Sequence, residues 1–346
     1  MSKNKIADRK KDHLELCISG KVEFSERTTG FEKYSFEHYA PTEIDIKKID
    51  LSGEFYGNKI DFPFMISSMT GGTKKAERIN EKLAVVSEEL NIPLCLGSQR
   101  HALEEKNNYY SYRVVKDVAK NIPIVGNIGA AQVAKSKDPA DLFNKIINMV
   151  NARAIIVHLN PLQELIQPEG ETDFSGLMKN LELVCKKIDV PVIAKEVGSG
   201  ISKTAARKLL ETGVRGIDVA GAGGTSWAAV EQLRSNQKDL YFREWGLSTS
   251  YCIRTVNELK KEYSFTLIGS GGINNGIDIA KSIALGADLT ASARTILVEL
   301  MKKDVDGTID LIKSWFMTVK KIMYLTGSDS IKKLKKVPLI REKEMY

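Results

Sequence analysis

The residues able to do chemistry in this chain of 346 residues follow short apolar runs. Lys195 stands between PVIA and VGSG, surroundings that favour a buried cation over a surface lysine. Beside a flavin, a lysine at this point would stabilise negative charge at the N1/C2=O edge of the reduced ring. Met69, Thr70 and Asn127 follow other runs and could pack on, or hydrogen-bond to, a flat heterocycle. Each alone is weak evidence, and Met69 is better explained as a core residue.

A second set of residues could bind an anion. RKKDH brings Arg9, Lys10 and His13 within about one helical turn or a short extended reach, GSQR adds a hydroxyl and an arginine, and HLNPLQE adds another histidine. Arginine offers a fork suited to phosphate oxygens, and lysine offers a point charge. A solvated basic tail explains the N-terminal cluster equally well. The six residues are Arg9, Lys10, His13, Ser98, Arg100 and His158.

Two glutamates, Glu164 and Glu231, are candidates for holding Mg²⁺ against a diphosphate. Mg²⁺ usually takes one or two carboxylates from the protein and its remaining ligands from substrate phosphates and water. The alternative is that both are ordinary surface carboxylates.

The elements that position these residues repeat one unit from residue 62 onward: a short apolar run, a small or polar residue, and an amphipathic helix such as 75–90 or 204–213. Most runs are rich in Val, Ile and Leu without alternation, which is typical of strands buried on both faces. Alternating strands and helices predict a parallel sheet, and eight units over ~240 residues predict a closed (β/α)₈ barrel. A doubly wound sheet, the alternative, usually has fewer strands and one dominant glycine-rich turn. The runs are 62–67, 92–98, 122–128, 153–159, 190–197, 215–221, 265–272 and 287–293.

We therefore expect a single α/β domain. Residues 62–325 form the barrel, 1–61 form an N-terminal extension that covers the barrel mouth, and 326–346 form a polar C-terminal tail. In such barrels the active site lies at the C-terminal ends of the strands.

The last two units contain loops of the kind that bind phosphate. GSGGINNG, which contains Gly271 and Gly272, precedes one helix, and SAR, which ends at Arg294, opens another. Loops after strands seven and eight of a barrel commonly bind a phosphate through free N–H groups and the helix dipole. The alternative is that these glycines only permit tight turns.

Composition and charge exclude several classes of protein. The hydrophobic fraction of 42% and charged fraction of 27% are those of a globular protein. No apolar run approaches the ~18 residues that span a bilayer, and the first residues lack a secretory h-region, so we expect a cytoplasmic protein. Much of the basic excess behind the net charge of +7 lies at 9–11 and 332–336, and the remaining basic residues alternate with Glu and Asp along apparent helices. A nucleic-acid-binding protein stays a minor alternative, because no recognition motif is visible.

The four cysteines are far apart and form no CxxC pair, so we expect free thiols without a nucleophilic role. They are Cys17, Cys95, Cys185 and Cys252.

Taken in order, six segments resemble the type 2 isopentenyl-diphosphate isomerases, which use FMN. The likeness extends from Arg9 to the helix after Arg294, and HLNPLQELIQPEG together with GSQR is its most specific part. It implies a (β/α)₈ barrel that interconverts isopentenyl and dimethylallyl diphosphate. It also implies FMN in its reduced form, NADPH or another reductant, Mg²⁺, and a tetramer or octamer. The segments are SSMTGGT, GSQR, HLNPLQELIQPEG, KEVGSGIS, DVAGAGGTSW and SGGINNGIDIAK.

The resemblance also implies roles for individual residues. The six residues of the anion set become ligands of the diphosphate, Gln163 becomes the polar residue nearest the reacting carbons, and Glu164 becomes the Mg²⁺ ligand. The residues implied to contact the flavin are Ser68, Met69, Thr70, Ser98, Asn127, Lys195, Thr225, Gly271, Gly272, Ala293 and Arg294.

Three positions depart from the pattern of that family. GNIGAAQ at 126–132 and GLSTS at 246–250 each lack a proline that is usual there, and Ala220 stands where some members have serine. The first two affect local loop shape, and the third removes a side-chain contact.

Isomerisation adds a proton at one carbon and removes one from another, and an alkene is a poor base that needs a well-placed acid in a dry pocket. The chain shows no paired carboxylates aimed at an apolar slot, so the hard step is best assigned to the cofactor. Our hypothesis is that reduced FMN shuttles the proton, Gln163 positions or relays the proton removed, and Lys195 keeps the reduced flavin anionic. We also predict that the N-terminal segment closes on the diphosphate.

The rival enzyme class is an FMN-dependent 2-hydroxy-acid oxidase or dehydrogenase. Such enzymes need a histidine base beside an arginine near a late strand, and the comparable stretch here, VAGAGGTSW, has no histidine. The sequence therefore favours the isomerase.

Overall fold

The computed structural model describes residues 3–19, 22–235 and 241–344. Eight parallel strands close into a barrel in the order β10-β11-β4-β5-β6-β7-β8-β9, which confirms the predicted (β/α)₈ fold. Each barrel strand lies within one of the predicted runs, except that β6 extends one residue beyond its run, to Gly129. The strands are β1 (Tyr34–Phe36), β2 (Gly53–Phe55), β3 (Asn58–Ile60), β4 (Phe64–Ile66), β5 (Leu94–Cys95), β6 (Ile124–Gly129), β7 (Ala154–Leu159), β8 (Val192–Glu196), β9 (Gly216–Asp218), β10 (Thr266–Ser270), β11 (Leu289–Ser292) and β12 (Leu339–Arg341).

Helices surround the barrel, and the two amphipathic stretches singled out in the sequence correspond to α2 and α9 below. The α-helices are α1 (Lys3–Ser19), α2 (Lys74–Leu90), α3 (Arg100–Glu104), α4 (Tyr110–Val118), α5 (Ala130–Lys135), α6 (Pro139–Val150), α7 (Pro161–Ile166), α8 (Leu177–Lys187), α9 (Lys203–Glu211), α10 (Trp227–Arg234), α11 (Thr249–Asn257), α12 (Gly276–Ala284), α13 (Arg294–Leu325, broken at Asp304) and α14 (Ile331–Leu334). Short 3₁₀ helices lie at Phe31–Lys33, Ile46–Lys48, Lys106–Asn108, Glu258–Lys261 and Glu342–Glu344. No helix in these ranges is long and apolar enough to cross a membrane.

Strand register determines which of the candidate functional residues lie side by side. His158 on β7 is paired with Lys195 on β8, and Lys195 is paired with Asp218 on β9. Adjacent strands lie roughly 4.8 Å apart, so these three side chains form one row at the C-terminal end of the barrel.

Segments of the N-terminal extension, 1–61, lie at both ends of the barrel. The β2–β3 hairpin places Phe55 and Ile60 in the apolar cluster inside the barrel, against residues such as Met65. The Tyr56 hydroxyl donates to the carbonyl oxygen of Arg215, just before β9. This part of 1–61 therefore closes the end opposite the mouth, whereas α1 lies at the mouth.

The C-terminal segment differs from the expected polar tail. Strand β12 pairs antiparallel with β1, and α14 buries Ile331 and Leu334. Lys333 forms an ion pair with Asp329 at 2.6 Å, and Lys335 forms one with Asp288. The segment folds back because it alternates enough apolar residues with its lysines to pack on the body of the protein, and part of its basic run is neutralised there.

The four cysteines are free. Burial raises the pKa of Cys17 and Cys185 to about 11 and that of Cys95 and Cys252 to about 12, which agrees with thiols that have no nucleophilic role.

Candidate active site

A cavity of about 410 Å³ opens at the C-terminal ends of the barrel strands. Every residue that the sequence predicted to contact diphosphate or flavin lines it, from Arg9 on α1 to Arg294 at the start of α13, and so do Gln163 and Glu164. Of the candidate site residues, Glu231 alone lies behind the wall. Cations from the N-terminal helix thus share one cavity with Lys195 and with the loop that carries Gly271.

Helix α1 brings the N-terminal cations to this cavity. Lys10 Nζ donates to the carbonyl oxygen of Gly71 at 2.7 Å and to the hydroxyl of Tyr112 at 3.2 Å. That hydroxyl donates to the carbonyl oxygen of Ser98 at 2.6 Å, so one buried ring connects α1 to the loop after β5. Burial, followed by the charge of Arg9, lowers the pKa of Lys10 to about 7.

Two carboxylates hold Arg100 from outside the cavity. Its Nε donates to Glu104 at 2.7 Å, and its Nη2 donates to Glu171 at 3.1 Å. Gln132, another residue of the wall, donates from Nε2 to Glu171 at 3.2 Å. Arg100 and Gln132 line the cavity, whereas the two carboxylates do not. Since a guanidinium has five N–H donors, Arg100 is oriented and keeps donors for a ligand.

Behind the wall, Glu231 is fully buried, and the donors around it include His13, Gln163 and Arg234. His13 Nε2 lies 2.8 Å from Oε1, Gln163 Nε2 donates to the same oxygen at 3.0 Å, and Arg234 Nε donates to Oε2 at 2.8 Å. Burial alone would raise the pKa of Glu231, but the interactions with His13, Gln163 and Arg234 outweigh it and hold that pKa at about 2. Glu231 is therefore an anion that fixes Gln163 and His13, and both of its oxygens are engaged within the chain.

Gln167 extends this arrangement to Arg9. In the orientation of its side-chain amide that satisfies both neighbours, its nitrogen donates to Glu231 at 3.2 Å and its oxygen accepts from Arg9 Nη1 at 2.8 Å. The indole of Trp227 packs edge-on against the His13 ring, with centroids 5.1 Å apart, and provides an apolar surface in the cavity.

A chain of hydrogen bonds crosses the wall from β7 to β5. His158 Nδ1 lies 2.8 Å from Asn127 Oδ1, and Asn127 Nδ2 donates to Ser68 Oγ at 2.7 Å. Ser68 Oγ lies 2.8 Å from Cys95 Sγ. Because the Asn127 amide nitrogen already donates to Ser68, its oxygen accepts from an Nδ1–H of His158. Burial, followed by the charge of Lys195, lowers the pKa of His158 to about 4, so the imidazole is neutral near pH 7.

Lys195 is a buried cation with a buried counterion. Its side chain is 10% exposed, its Nζ donates to the carbonyl oxygen of Glu196 at 2.8 Å, and it lies 3.7 Å from Asp218 Oδ2. Ser270 donates to the other oxygen of Asp218 at 2.5 Å. Burial raises the pKa of Asp218, and Lys195 opposes that shift.

Two glycine-rich loops interlock beside Lys195. Gly271 and Gly272 have φ of +99° and +71°. A Cβ on Gly271 would lie 2.2 Å from the carbonyl oxygen of Gly221, and one on Gly272 would lie 2.7 Å from that of Gly223. Ala293 precedes α13 and supplies no side-chain cap, so the N–H groups of the first turn are available to an anion. This donor set fits the phosphate of FMN.

The wall near Glu164 fits a magnesium ion. Its Oε1 accepts from Asn160 Nδ2 at 3.0 Å, and its Oε2 accepts the N–H of Glu171 at 2.7 Å. Asn160 Oδ1 is buried and has no hydrogen-bond partner in the described part of the chain. Within the same residues no three His, Cys, Asp or Glu side chains form a metal site by themselves. One carboxylate and one unpartnered amide oxygen suit Mg²⁺ that takes its other ligands from phosphate and water.

Sequence reasoning missed several residues of this site. Most of these missed residues lie inside sequence motifs that were identified because of other residues, and membership of those motifs was the signal that could have found them. For Asp218 the signal was a carboxylate within the buried run RGIDVAG. The missed residues are Gln132, Asn160, Gln167, Asp218 and Trp227.

Several solved structures share this fold. A mandelate oxidase variant with an FMN adduct matches 94% of this chain and 92% of its own, with a TM-score of 0.64 and 16% identity. A flavocytochrome b2 variant with pyruvate bound matches 95% and 82%, with a TM-score of 0.72 and 18% identity. At such identities the likeness concerns the fold alone.

The sequence comparisons are more specific. The model of the FMN-dependent dehydrogenase family matches residues 2–341. An isopentenyl-diphosphate delta-isomerase of Pelodictyon phaeoclathratiforme is 43% identical, over 97% of this chain and 98% of the relative. One of Pyrococcus furiosus is also 43% identical, over 96% and 86%. The chain therefore belongs to the FMN-dependent dehydrogenase family and, within it, groups with the isopentenyl-diphosphate delta-isomerases.

Proposed function

We propose that this protein interconverts isopentenyl and dimethylallyl diphosphate with the help of reduced FMN and Mg²⁺. One observation carries the proposal: a single cavity joins the cations of α1 and α3 to Lys195 and to the glycine loops. A flavin bound on those loops and a diphosphate bound by those cations would face each other across the cavity.

The diphosphate is bound by charge and by hydrogen bonds. Arg9, Lys10 and Arg100 supply cations, and Ser98, His13 and His158 supply further polar contacts. Lys10 and His158 both have depressed pKa values in the substrate-free cavity. A multiply charged anion beside them stabilises their protonated forms, so the substrate binds together with protons.

Glu164 holds the Mg²⁺, with Asn160 Oδ1 as a second ligand from the chain. The support is the donor set itself, since an amide oxygen buried without a partner costs free energy that an ion would offset. Glu231 contributes indirectly, because it fixes Gln163 and His13.

The flavin is held by Ser68, Met69, Thr70, Ser98, Asn127, Lys195 and Thr225, and its phosphate by the residues Gly271, Gly272, Ala293 and Arg294. When bound, reduced FMN supplies the proton-transfer chemistry that no carboxylate of the cavity is placed to supply. Lys195, held by the backbone of Glu196 and by Asp218, keeps positive charge beside the ring.

Gln163 positions the carbon that loses a proton. Its Nε2 donates to Glu231, and its Oε1 accepts from Asn160 Nδ2 at 3.2 Å, so the amide cannot rotate freely. The apolar face of Trp227 gives the five-carbon tail a surface in the same cavity.

An anaerobic assay tests the proposal. Purified protein with FMN, NADPH, Mg²⁺ and isopentenyl diphosphate should yield the dimethylallyl isomer, and dithionite in place of NADPH identifies the requirement as a reduced flavin rather than a particular donor. Gln163→Ala should lose most of the turnover and retain FMN. No product with either reductant, or flavin reduction by a 2-hydroxy acid, would contradict the assignment.

The protein is further proposed to act in the cytoplasm as a homo-oligomer, a tetramer or an octamer. Light scattering should therefore give a mass well above the 38.4 kDa of one chain. The N-terminal segment is proposed to close on the diphosphate, and equal protease sensitivity of residues 1–25 with and without substrate would argue against closure.

A further inference from the structure

A second cavity, of about 640 Å³, shares no lining residue with the active site. It lies between the segment that starts at Arg27, helix α11 and the C-terminal segment that folds back. Five of its twelve lining residues are cations, and Glu342 is its one carboxylate. The cations are Arg27, Lys33, Arg254, Arg341 and Lys343.

Close ion pairs do not neutralise these cations, although Arg254 lies near enough to Glu258 to lower the pKa of that carboxyl and Arg27 Nε donates to the carbonyl oxygen of Glu244. Among residues 3–19, 22–235 and 241–344, none of the five forms an ion pair, although many other lysines and arginines of the chain do. Arg254 Nε is buried and has no hydrogen-bond partner in the same ranges. A concave surface lined by charge of one sign attracts a counterion from solution, so this cavity is electrostatically suited to an anion.

The size and the remaining lining residues indicate an organic anion. Pockets for organic ligands span roughly 300–1,000 Å³, so phosphate or diphosphate alone would leave most of this cavity unfilled. The guanidinium of Arg254 lies 5.8 Å from the centroid of the Tyr251 ring, and Tyr34 and Leu247 also face the cavity. Aromatic and aliphatic surfaces beside cations are the surroundings that suit a base stacked above its phosphates.

We propose that this cavity is a nucleotide-binding site. Arg254, Arg341 and the two lysines bind the phosphates, and the tyrosine rings pack on the base. The inference does not depend on the isomerase activity, because no residue of the active-site cavity takes part in it.

The site is also placed to affect the flavin loops. Gly30 lines the second cavity, and the adjacent Thr29 accepts the N–H of Ser250 at 2.9 Å. Thr29 packs so closely on the active-site loops that a Cβ on Gly272 would lie 2.5 Å from its Cγ2. A nucleotide that holds the segment at Gly30 therefore acts on the loop proposed to bind the flavin phosphate.

Isothermal titration of FMN-loaded protein with ADP at low ionic strength tests the proposal. We expect saturable binding that weakens with salt. The double variant Arg254→Ala/Arg341→Ala should bind at least about 10-fold more weakly, since hydrogen bonds to charged groups are strong. Lys186→Ala/Lys303→Ala removes the same charge from exposed ion pairs elsewhere and should change the affinity by less than about 2-fold. Arg100→Ala changes only the active-site cavity, so it distinguishes binding there from binding in the second cavity and should leave ADP binding unchanged.

Three results would overturn the proposal: no binding at about 1 mM ADP, inorganic diphosphate binding to Arg100→Ala as tightly as ADP does, or loss of ADP binding in Arg100→Ala. Because Arg254 is partly buried, the double variant is checked by thermal melting. The exposed pair Lys33→Ala/Lys343→Ala serves as a second test, and unchanged affinity in that folded variant would count against the site.

Discussion

Glu171 offers a sharp test of how the proposed diphosphate site is assembled. Its side chain accepts from Arg100 and from Gln132, and its own N–H donates to Glu164. It thus orients three residues of the cavity wall without lining the cavity. Glu171→Gln keeps the backbone contact and the shape of the side chain but removes the charge that holds Arg100.

The expected size of the effect follows from the exposure of the pair. A hydrogen bond to a charged group is worth about 1.5–3 kcal/mol when buried, whereas an exposed ion pair contributes about 0–1 kcal/mol. Both side chains are 27% exposed, which places the loss near about 1 kcal/mol. Since about 1.4 kcal/mol corresponds to a tenfold change, the KM for isopentenyl diphosphate should rise about 5-fold.

Steady-state kinetics under reducing, anaerobic conditions measure this change, with kcat expected to stay within about 2-fold because Glu171 does not line the cavity. Glu104→Gln is the matched control, since Glu104 contacts Arg100 through Nε alone and its side chain is 43% exposed. Its KM should rise by less than about 2-fold. An unchanged KM in Glu171→Gln, or a lowered kcat with the KM of the parent protein, would refute the idea that Glu171 orients the diphosphate donors.

Further predictions concern protonation and the cofactor. Because burial lowers the pKa of Lys10 to about 7, substrate binding at pH 8 should take up a proton, seen by calorimetry in buffers of different ionisation enthalpy. Lys10→Arg should reduce that uptake. The pKa of His158 is depressed to about 4, so between pH 6.5 and pH 4 the unfolded chain binds the extra proton and stability falls as the pH falls. His158→Gln should flatten the dependence of melting temperature on pH over that window, removing a pH-dependent stability change of at most about 3 kcal/mol. An unchanged slope of melting temperature against pH would contradict a neutral, buried imidazole. Lys195→Gln should lower the fraction of anionic reduced flavin in spectra recorded near pH 7, and a spectrum like that of the parent would contradict the proposed role of Lys195.

The barrel and the convergence of its site could be predicted because both depend on local patterns. A strand buried on both faces requires a continuous apolar run, and a parallel strand requires a helical return. Once eight such units close, the residues at the run ends must meet. His158 and Lys195 are neighbours in register for this reason, although 37 positions separate them in the sequence.

Other features depended on contacts between distant surface segments. Nothing in the residues around Glu171 or Glu231 indicates that one accepts from Arg100 and the other from His13. Two other features likewise rest on short, weakly patterned strands: the β2–β3 hairpin, which places Phe55 inside the barrel, and the pairing of β12 with β1. Such strands form because a neighbouring surface completes their hydrogen bonds and covers their apolar side chains. That surface is built from residues distant in the sequence, so local sequence patterns do not predict it.

The likeness to oxidases of hydroxy acids shows why the reaction must be argued from the site rather than from the fold. A barrel of this fold occurs in a mandelate oxidase, and a hydroxy-acid oxidase needs a histidine base beside an arginine near a late strand. Of the histidines that line this cavity, His13 and His158 are engaged by Glu231 and Asn127, and His101 Nε2 lies 3.2 Å from Asn108 Nδ2. The strand-six loop carries alanine and glycine where a base would be placed. The N-terminal helix instead supplies cations that suit a diphosphate. The same scaffold therefore suits an isomerase because its mouth is arranged to hold an anion, and the proton chemistry is proposed to be left to the flavin.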